Sequence, residues 1–222
     1  MIEIAKLNLL IATGNPGKVK EIEASLADLP LSLRFIEEYP DISTPDESGR
    51  SYSENAIIKA NSYAKQTGLC ALADDSGLEV DALNGAPGVG SARFGGVRAT
   101  YEDRMALLLS DLAKTQDQER RARFVCVMAI VDRNLTTLNL AQGICEGRIA
   151  DTPAGSGGFG YDPIFVPDGF RLTFGELPAE LKNKISHRAK ALEATRQFLK
   201  HFVAGRDPSL LACADSVLKE IR

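Results

Sequence analysis

Histidine and cysteine are scarce in this chain, and their scarcity narrows the chemistry. The four cysteines, Cys70, Cys126, Cys145 and Cys213, form no C-x-x-C pair, and His187 and His201 are the only histidines. A zinc cage needs such residues clustered, so none is expected. Cys70, Cys126 and Cys145 lie in apolar runs, where buried thiols are common. That fits a reduced, cytoplasmic protein. Positive charge is not in excess either. The net charge is −4, which argues against a chain held on nucleic acid or anionic lipid by general attraction. No run reaches the roughly 18 apolar residues of a membrane span. Glu3 and Lys6 break the N-terminus before a secretory leader forms. Internal repeats and low-complexity linkers are missing as well.

What is present reads as globular. Apolar residues make up 44% and charged residues 25% of 222 positions, enough for one sizeable core. The whole of 1–222 is read as a single domain, with a helical tail from about residue 204. Residues 7–12 (LNLLIA) read as a buried strand, 16–28 as an amphipathic helix and 32–36 as a short strand. The polar, acidic stretch 37–50 reads as a long loop. Residues 51–67 form a helix ended by Gly68. CALA (70–73) is a short buried strand running into DDSG, and the Gly-rich stretch 75–98 reads as a loop. A helix over 100–114 precedes two strand-like runs, 121–131 and 136–149, joined by the hairpin Asp132-Arg133-Asn134. Another Gly-rich loop covers 150–161, followed by a strand at 164–166 and a helix over 186–203. Asp207-Pro208 opens a last short helix. This alternation predicts an α/β fold with a mixed sheet.

The helix starts divide into two groups. The positive end of a helix dipole favours acids in the first turn. Ser51-Tyr52-Ser53-Glu54 and Thr100-Tyr101-Glu102-Asp103 obey, as capping boxes. Two starts disobey. Asn15 caps a helix with Pro16 at its first position, yet Lys18 stands where the box wants Glu, and Lys20 follows. Ser186 caps another, with His187, Arg188 and Lys190 in its first turn. Each misplaced cation costs about 0.3–1 kcal/mol when exposed. Solvent screening is one reading. An anion bound at each site is the other, since it turns both penalties into attraction. The loop TGNPGK (13–18) is not a Walker A motif, because only Asn15 and Pro16 separate Gly14 from Gly17, and Val19 follows the lysine.

ALADDSGLEVD places Asp74 and Asp75 at the end of a buried strand. Neighbours on a strand point to opposite faces, so one carboxylate faces a cleft while the other braces the loop. A simple Asp-capped turn with Gly77 at positive φ is the alternative. Asp46 and Glu47 offer more carboxylate oxygens, or belong to a solvated acidic loop. Carboxylates with phosphate-binding cations, and no His or Cys cluster, suit magnesium rather than zinc. In SGGFGYDP (156–163), Phe159 and Tyr161 flank Gly160. They either stack on a flat base or simply enter the core.

Taken together, TGNPGK (13–18), SYSENAIIKA (51–60), ADDSGLEVDALNGAPGVGSARFGG (73–96), GFGYDPIF (158–165) and KNKISHRAKAL (182–192) resemble the inosine triphosphate pyrophosphatases. Those enzymes clear non-standard purine nucleoside triphosphates. The motifs stand in the family's order over most of residues 7–200. The resemblance implies an elongated mixed β-sheet flanked by helices, with two lobes around a central nucleotide-binding cleft, usually as a homodimer. It implies hydrolysis of ITP, dITP and XTP to the monophosphate and pyrophosphate with magnesium. By motif position, Thr13, Gly14, Asn15, Pro16, Gly17 and Lys18 hold the triphosphate. Asp75 binds metal and takes the proton of the attacking water, while Asp74 and Lys59 support the centre. Ser76 contacts substrate, and Phe159, Gly160, Tyr161 and Asp162 border the base. Lys182, His187 and Arg188 contact the nucleotide. The family often carries paired glutamates before its capping box. Here the pair is Asp46-Glu47, so Glu47 is the metal ligand favoured and Asp46 acts through water. Two other readings stay open: a related pyrophosphatase with a different base preference, and a nucleotide-binding module without catalysis.

Overall fold

The computed structural model describes residues 6–115 and 119–205. The expectations at Glu3, Asp207-Pro208 and Cys213 lie outside the described residues. Among the described residues, six strands form one mixed sheet in the order β2-β1-β3-β4-β5-β6. They are β1 (Leu7–Ile11), β2 (Leu31–Phe35), β3 (Cys70–Val80), β4 (Arg121–Val131), β5 (Thr137–Ile149) and β6 (Phe165–Pro167). β1 pairs in parallel with β2 and β3, and the remaining pairs are antiparallel. Five α-helices among the described residues accompany them: α1 (Pro16–Leu26), α2 (Tyr52–Thr67), α3 (Tyr101–Ala113), α4 (Ala179–Ile185) and α5 (His187–Ala204). Among the described residues, no helix is long and apolar enough to cross a membrane.

Strand periodicity sorts the core onto two faces. Leu9, Ile11, Leu72, Cys126 and Met128 face α1 and α5. Leu10, Ala12, Ala71, Ala73 and Val127 face α2. A third cluster joins α3 to β3, β4 and β6 through Leu78, Leu108, Phe124 and Phe165. α2 closes at Gly68 with φ 69°, its N–H donating to the Ala64 carbonyl. That left-handed cap suits glycine because it carries no Cβ.

Two elements differ from the sequence reading. The strand begun at Cys70 does not stop at Ala73 but runs on through Asp74, Asp75 and Ser76 to Val80. Polar residues and Gly77 are poor strand formers, yet β4 pairs with every residue from Ala71 to Val80. Those ladder bonds hold the backbone extended. β1 leaves off earlier, at Ile11 opposite Leu72, so the β3 edge is uncovered just where the two aspartates stand. The second difference is α4, which the sequence reading left out. Ser186 ends it and caps α5, with extended backbone at φ −67° and ψ 159°. This break sets Lys182 on one short helix and Arg188 on the next.

Candidate active site

Both unusual helix starts are built as their sequences indicate. The Asn15 side chain accepts from the N–H groups of Gly17 and Lys18 at 2.9 and 3.2 Å, and the Thr13 hydroxyl accepts from the Asn15 N–H at 3.3 Å. The Ser186 hydroxyl accepts from the Ala189 N–H at 3.1 Å. Neither first turn contains an acid. The obedient start at α3 forms a complete box between Thr100 and Asp103. At α2, Ser51 accepts from the Glu54 N–H while Glu54 accepts from that of Arg50, one residue earlier than the box requires.

The cations of the two starts converge. Lys18 Nζ lies 2.9 Å from Asp74 Oδ2, and Arg188 Nε lies 3.5 Å from the same oxygen. Arg188 is buried, donating to Glu21 at 2.9 Å and to the Ser76 hydroxyl at 3.1 Å. Burial pushes the Asp74 carboxyl up, but Lys18, Arg188 and Lys59 overwhelm it and hold the group far below the usual carboxylate range. Asp74 Oδ1 is buried with no hydrogen-bond partner among the described residues. A buried acceptor left bare costs stability, and it sits where an additional donor is wanted.

Asp75 points to the other face. Its Oδ1 pairs with Lys59 Nζ at 2.9 Å, and its Oδ2 accepts from Asn55 at 3.2 Å. Burial raises the Asp75 carboxyl above its ordinary value, with Lys59 pulling against it. Lys59 also meets Glu47 at 2.9 Å, and Arg93 takes the other Glu47 oxygen at 3.3 Å. Asp46 is exposed and shares in none of these pairs. Asp74 and Asp75 thus serve opposite faces of the sheet and meet at the uncovered edge of β3. Among the described residues, no three His, Cys, Asp or Glu side chains gather around one point. Two carboxylates, Asp75 and Glu47, do converge on one cation, the Lys59 ammonium. That donor set suits magnesium, which takes one or two carboxylates and completes its shell with water and phosphate oxygens.

The aromatic segment closes the other end. Phe159 is half-buried against Gly17, where a Cβ would stand 2.8 Å from its ring. Lys182 Nζ and Arg188 Cζ lie 4.6 and 5.3 Å from the same ring's centre. Asp162 fixes this turn by accepting from the Phe159 N–H at 2.7 Å and from Lys182 Nζ at 2.6 Å. Gly158 must be glycine here: its φ is +71° and a Cβ would fall 2.0 Å from Asp162 Oδ2. Gly160, at φ +69°, has a neighbouring Tyr101 ring 3.4 Å from where its Cβ would stand. Tyr161 turns inward and donates its hydroxyl to the Ser91 carbonyl at 2.9 Å. His187 is buried, its ring stacked on Phe124 at 4.6 Å. Burial, reinforced by Arg188 and Lys182, drives its pKa well down, so the neutral imidazole prevails. Its Nδ1 has no hydrogen-bond partner among the described residues.

Sequence reading passed over three residues of this cluster. Glu21 stands three positions after Lys18, on the same helical face, and bridges Arg188 to Lys182 at 2.9 and 3.7 Å. Asn55, four positions before Lys59, shares that residue's face of α2. Both were open to a spacing argument. Arg93 carries no such signal, because a loop brings it to Glu47.

The start of α5 rests on Gly143 in β5. A Cβ there would stand 2.0 Å from the His187 carbonyl oxygen and 2.5 Å from the Ala191 nitrogen. Backbone cannot yield as a side chain does. Gly143→Ala is therefore expected to push α5 off the sheet, costing about 1–3 kcal/mol and drawing Arg188 away from Asp74. Urea melts check this; unchanged stability in the variant refutes the close contact.

Comparison with known proteins places the chain in a family. Residues 9–198 match the model of the Ham1 family. The chain is 46% identical over 191 residues to a dITP/XTP pyrophosphatase of Geobacter sulfurreducens, covering 86% of this chain and 96% of that protein. It is 45% identical over 205 residues to the dITP/XTP pyrophosphatase of Thermus thermophilus, covering 92% and 98%. Among solved structures, a HAM1 protein from Coxiella burnetii superposes with a TM-score of 0.83 at 43% identity, covering 88% of this chain and 99% of that one. A nucleoside-triphosphatase / dITP/XTP pyrophosphatase from Mycobacterium abscessus gives 0.70 at 42% identity, covering 85% and 97%.

Proposed function

The chain belongs to the Ham1 family, and from that premise we propose that it hydrolyses ITP, dITP and XTP to the nucleoside monophosphate and pyrophosphate. One observation carries the reading at the level of residues. Lys18 and Arg188, from two helix starts, meet on one oxygen of Asp74, beside Asp75. Such an arrangement has little structural purpose, since buried ion pairs seldom add net stability. It has an evident purpose around a triphosphate.

The residues divide the work as follows. Thr13 to Lys18 present backbone N–H groups and an ammonium to phosphate oxygens at the positive end of α1. Asp75 accepts the proton of the water that opens the α–β anhydride. Lys59 holds Asp75 and Glu47 in place, and Asp74 holds Lys18 and Arg188. Phosphoryl transfer needs mainly such positioning and charge neutralisation. Asp75 and Glu47 are the carboxylates that would hold magnesium, with Asp46 reaching it through water; the ion would supply charge neutralisation for the triphosphate and a more acidic water.

Phe159 is the platform for the base, with Gly160 and Asp162 shaping its turn. His187 and Arg188 are the donors for the 6-oxo group of hypoxanthine or xanthine. Adenine carries an amino group there and leaves those donors unpaired. Buried thiols such as Cys126 and Cys145 fit a reducing cytoplasm, and a homodimer is the assembly the family resemblance implies. A substrate panel tests the whole. Pyrophosphate release is expected from ITP, dITP and XTP, far slower from ATP, and dependent on added divalent metal. Light scattering on the same sample is expected to give twice the chain mass. Equal turnover of ATP and ITP refutes the base assignment, and no release from any of them refutes the activity.

A further inference from the structure

The loop after β3 is pinned rather than loose. The Ser91 hydroxyl accepts from the Leu78 N–H at 2.9 Å and donates to the Gly88 carbonyl at 2.6 Å. Its own carbonyl accepts from Tyr161. Gly77 permits this approach, since a Cβ there would stand 2.2 Å from the Gly88 oxygen. The anchor therefore ties the base-side turn, β3 and the loop together at one buried serine. Arg93 follows two residues later. Its Nη1 reaches Glu47 Oε2 at 3.3 Å, 46 positions back in sequence. The Arg93 side chain is 44% exposed, and this contact uses only one of its five N–H donors.

The cations fall in an order. Lys182 and Arg188 surround the Phe159 ring. Lys18 and Arg188 flank Asp74, Lys59 links Asp75 to Glu47, and Arg93 lies beyond Glu47. A nucleotide with its base on Phe159 runs along this line with its phosphates outward. The geometry points to Arg93 as a contact for the terminal phosphates, the pyrophosphate that leaves. Glu47 holds one edge of the guanidinium, and the remaining donors form the planar fork that suits phosphate oxygens. A merely structural role is the competing account, though an exposed ion pair adds little to stability.

This inference rests on the pyrophosphatase reading, and its test separates the two. Arg93→Ala and Arg93→Lys are compared with the unaltered protein by calorimetric titration with magnesium pyrophosphate and with IMP. Steady-state ITP hydrolysis is run alongside. Arg93→Ala is expected to weaken pyrophosphate binding about tenfold, raise KM for ITP similarly, and leave IMP affinity unchanged. Arg93→Lys, which keeps a point charge, is expected to recover part of the loss. Unchanged pyrophosphate affinity in Arg93→Ala overturns the inference, as does an equal loss for IMP. If the unaltered protein releases no pyrophosphate from ITP, the activity falls, while the pyrophosphate titration still decides Arg93.

Discussion

Asp75→Asn is expected to lower kcat for ITP by about 10³-fold while nucleotide binding stays largely intact. Loss of a positioned general base costs on the order of 10²–10⁴ in rate, and this substitution also weakens the carboxylate pair with Glu47. Unfolding does not account for such a loss. Burial raises the Asp75 carboxyl, and a carboxyl raised on folding favours the folded state below its unfolded pKa. That advantage is gone once the pH rises through the folded pKa, so at neutral pH the ionised group is a burden. A neutral amide of the same shape removes the burden, still faces Asn55, and leaves Lys59 its pair with Glu47. The melting temperature is therefore expected to stay within about 3 °C of the original. Full turnover in Asp75→Asn, measured as pyrophosphate release at saturating ITP, removes Asp75 from the mechanism.

Asp74→Ala is expected to do the opposite, striking the fold as hard as the rate. Asp74 is buried beneath Lys18 and Arg188, and Arg188 is itself buried. Deleting one partner of a buried ionic cluster costs about 3–5 kcal/mol, because the remaining charges lose their counter-ion. The pH dependence has a definite sign. The Asp74 carboxyl is lowered on folding by Lys18, Arg188 and Lys59, against the opposing effect of burial. Its stabilisation is therefore fully present above the ordinary carboxylate pKa of about 4 and is lost as pH falls towards the folded value. The gap between original and variant in urea melts should be widest near pH 7 and shrink below about pH 4. A gap under about 1 kcal/mol at pH 7, or one that widens in acid, would falsify the ionic role assigned to Asp74.

These two aspartates also mark how far sequence alone reaches. Their adjacency on a strand and the period of two predicted opposite faces, and the partners confirm it: Lys18 and Arg188 for Asp74, Lys59 and Asn55 for Asp75. Their place within β3 was not legible, since no local pattern announces that β4 will carry the strand to Val80. Tyr161 teaches a similar lesson. Its neighbour Phe159 lies against Gly17, but Tyr161 turns away to Ser91. Two aromatics one glycine apart look equivalent until the glycine's positive φ is known.

The sequence by itself determined the alternation of strands and helices, the caps, and the fact that two helix starts carry cations where acids belong. Those are properties of neighbouring residues, set by backbone sterics and the helix dipole. Tertiary structure alone decided that the two starts face one carboxylate, and that Arg93 reaches Glu47 across 46 positions. Such distances depend on which strands pair and where β1 stops, and no short window of residues carries that information.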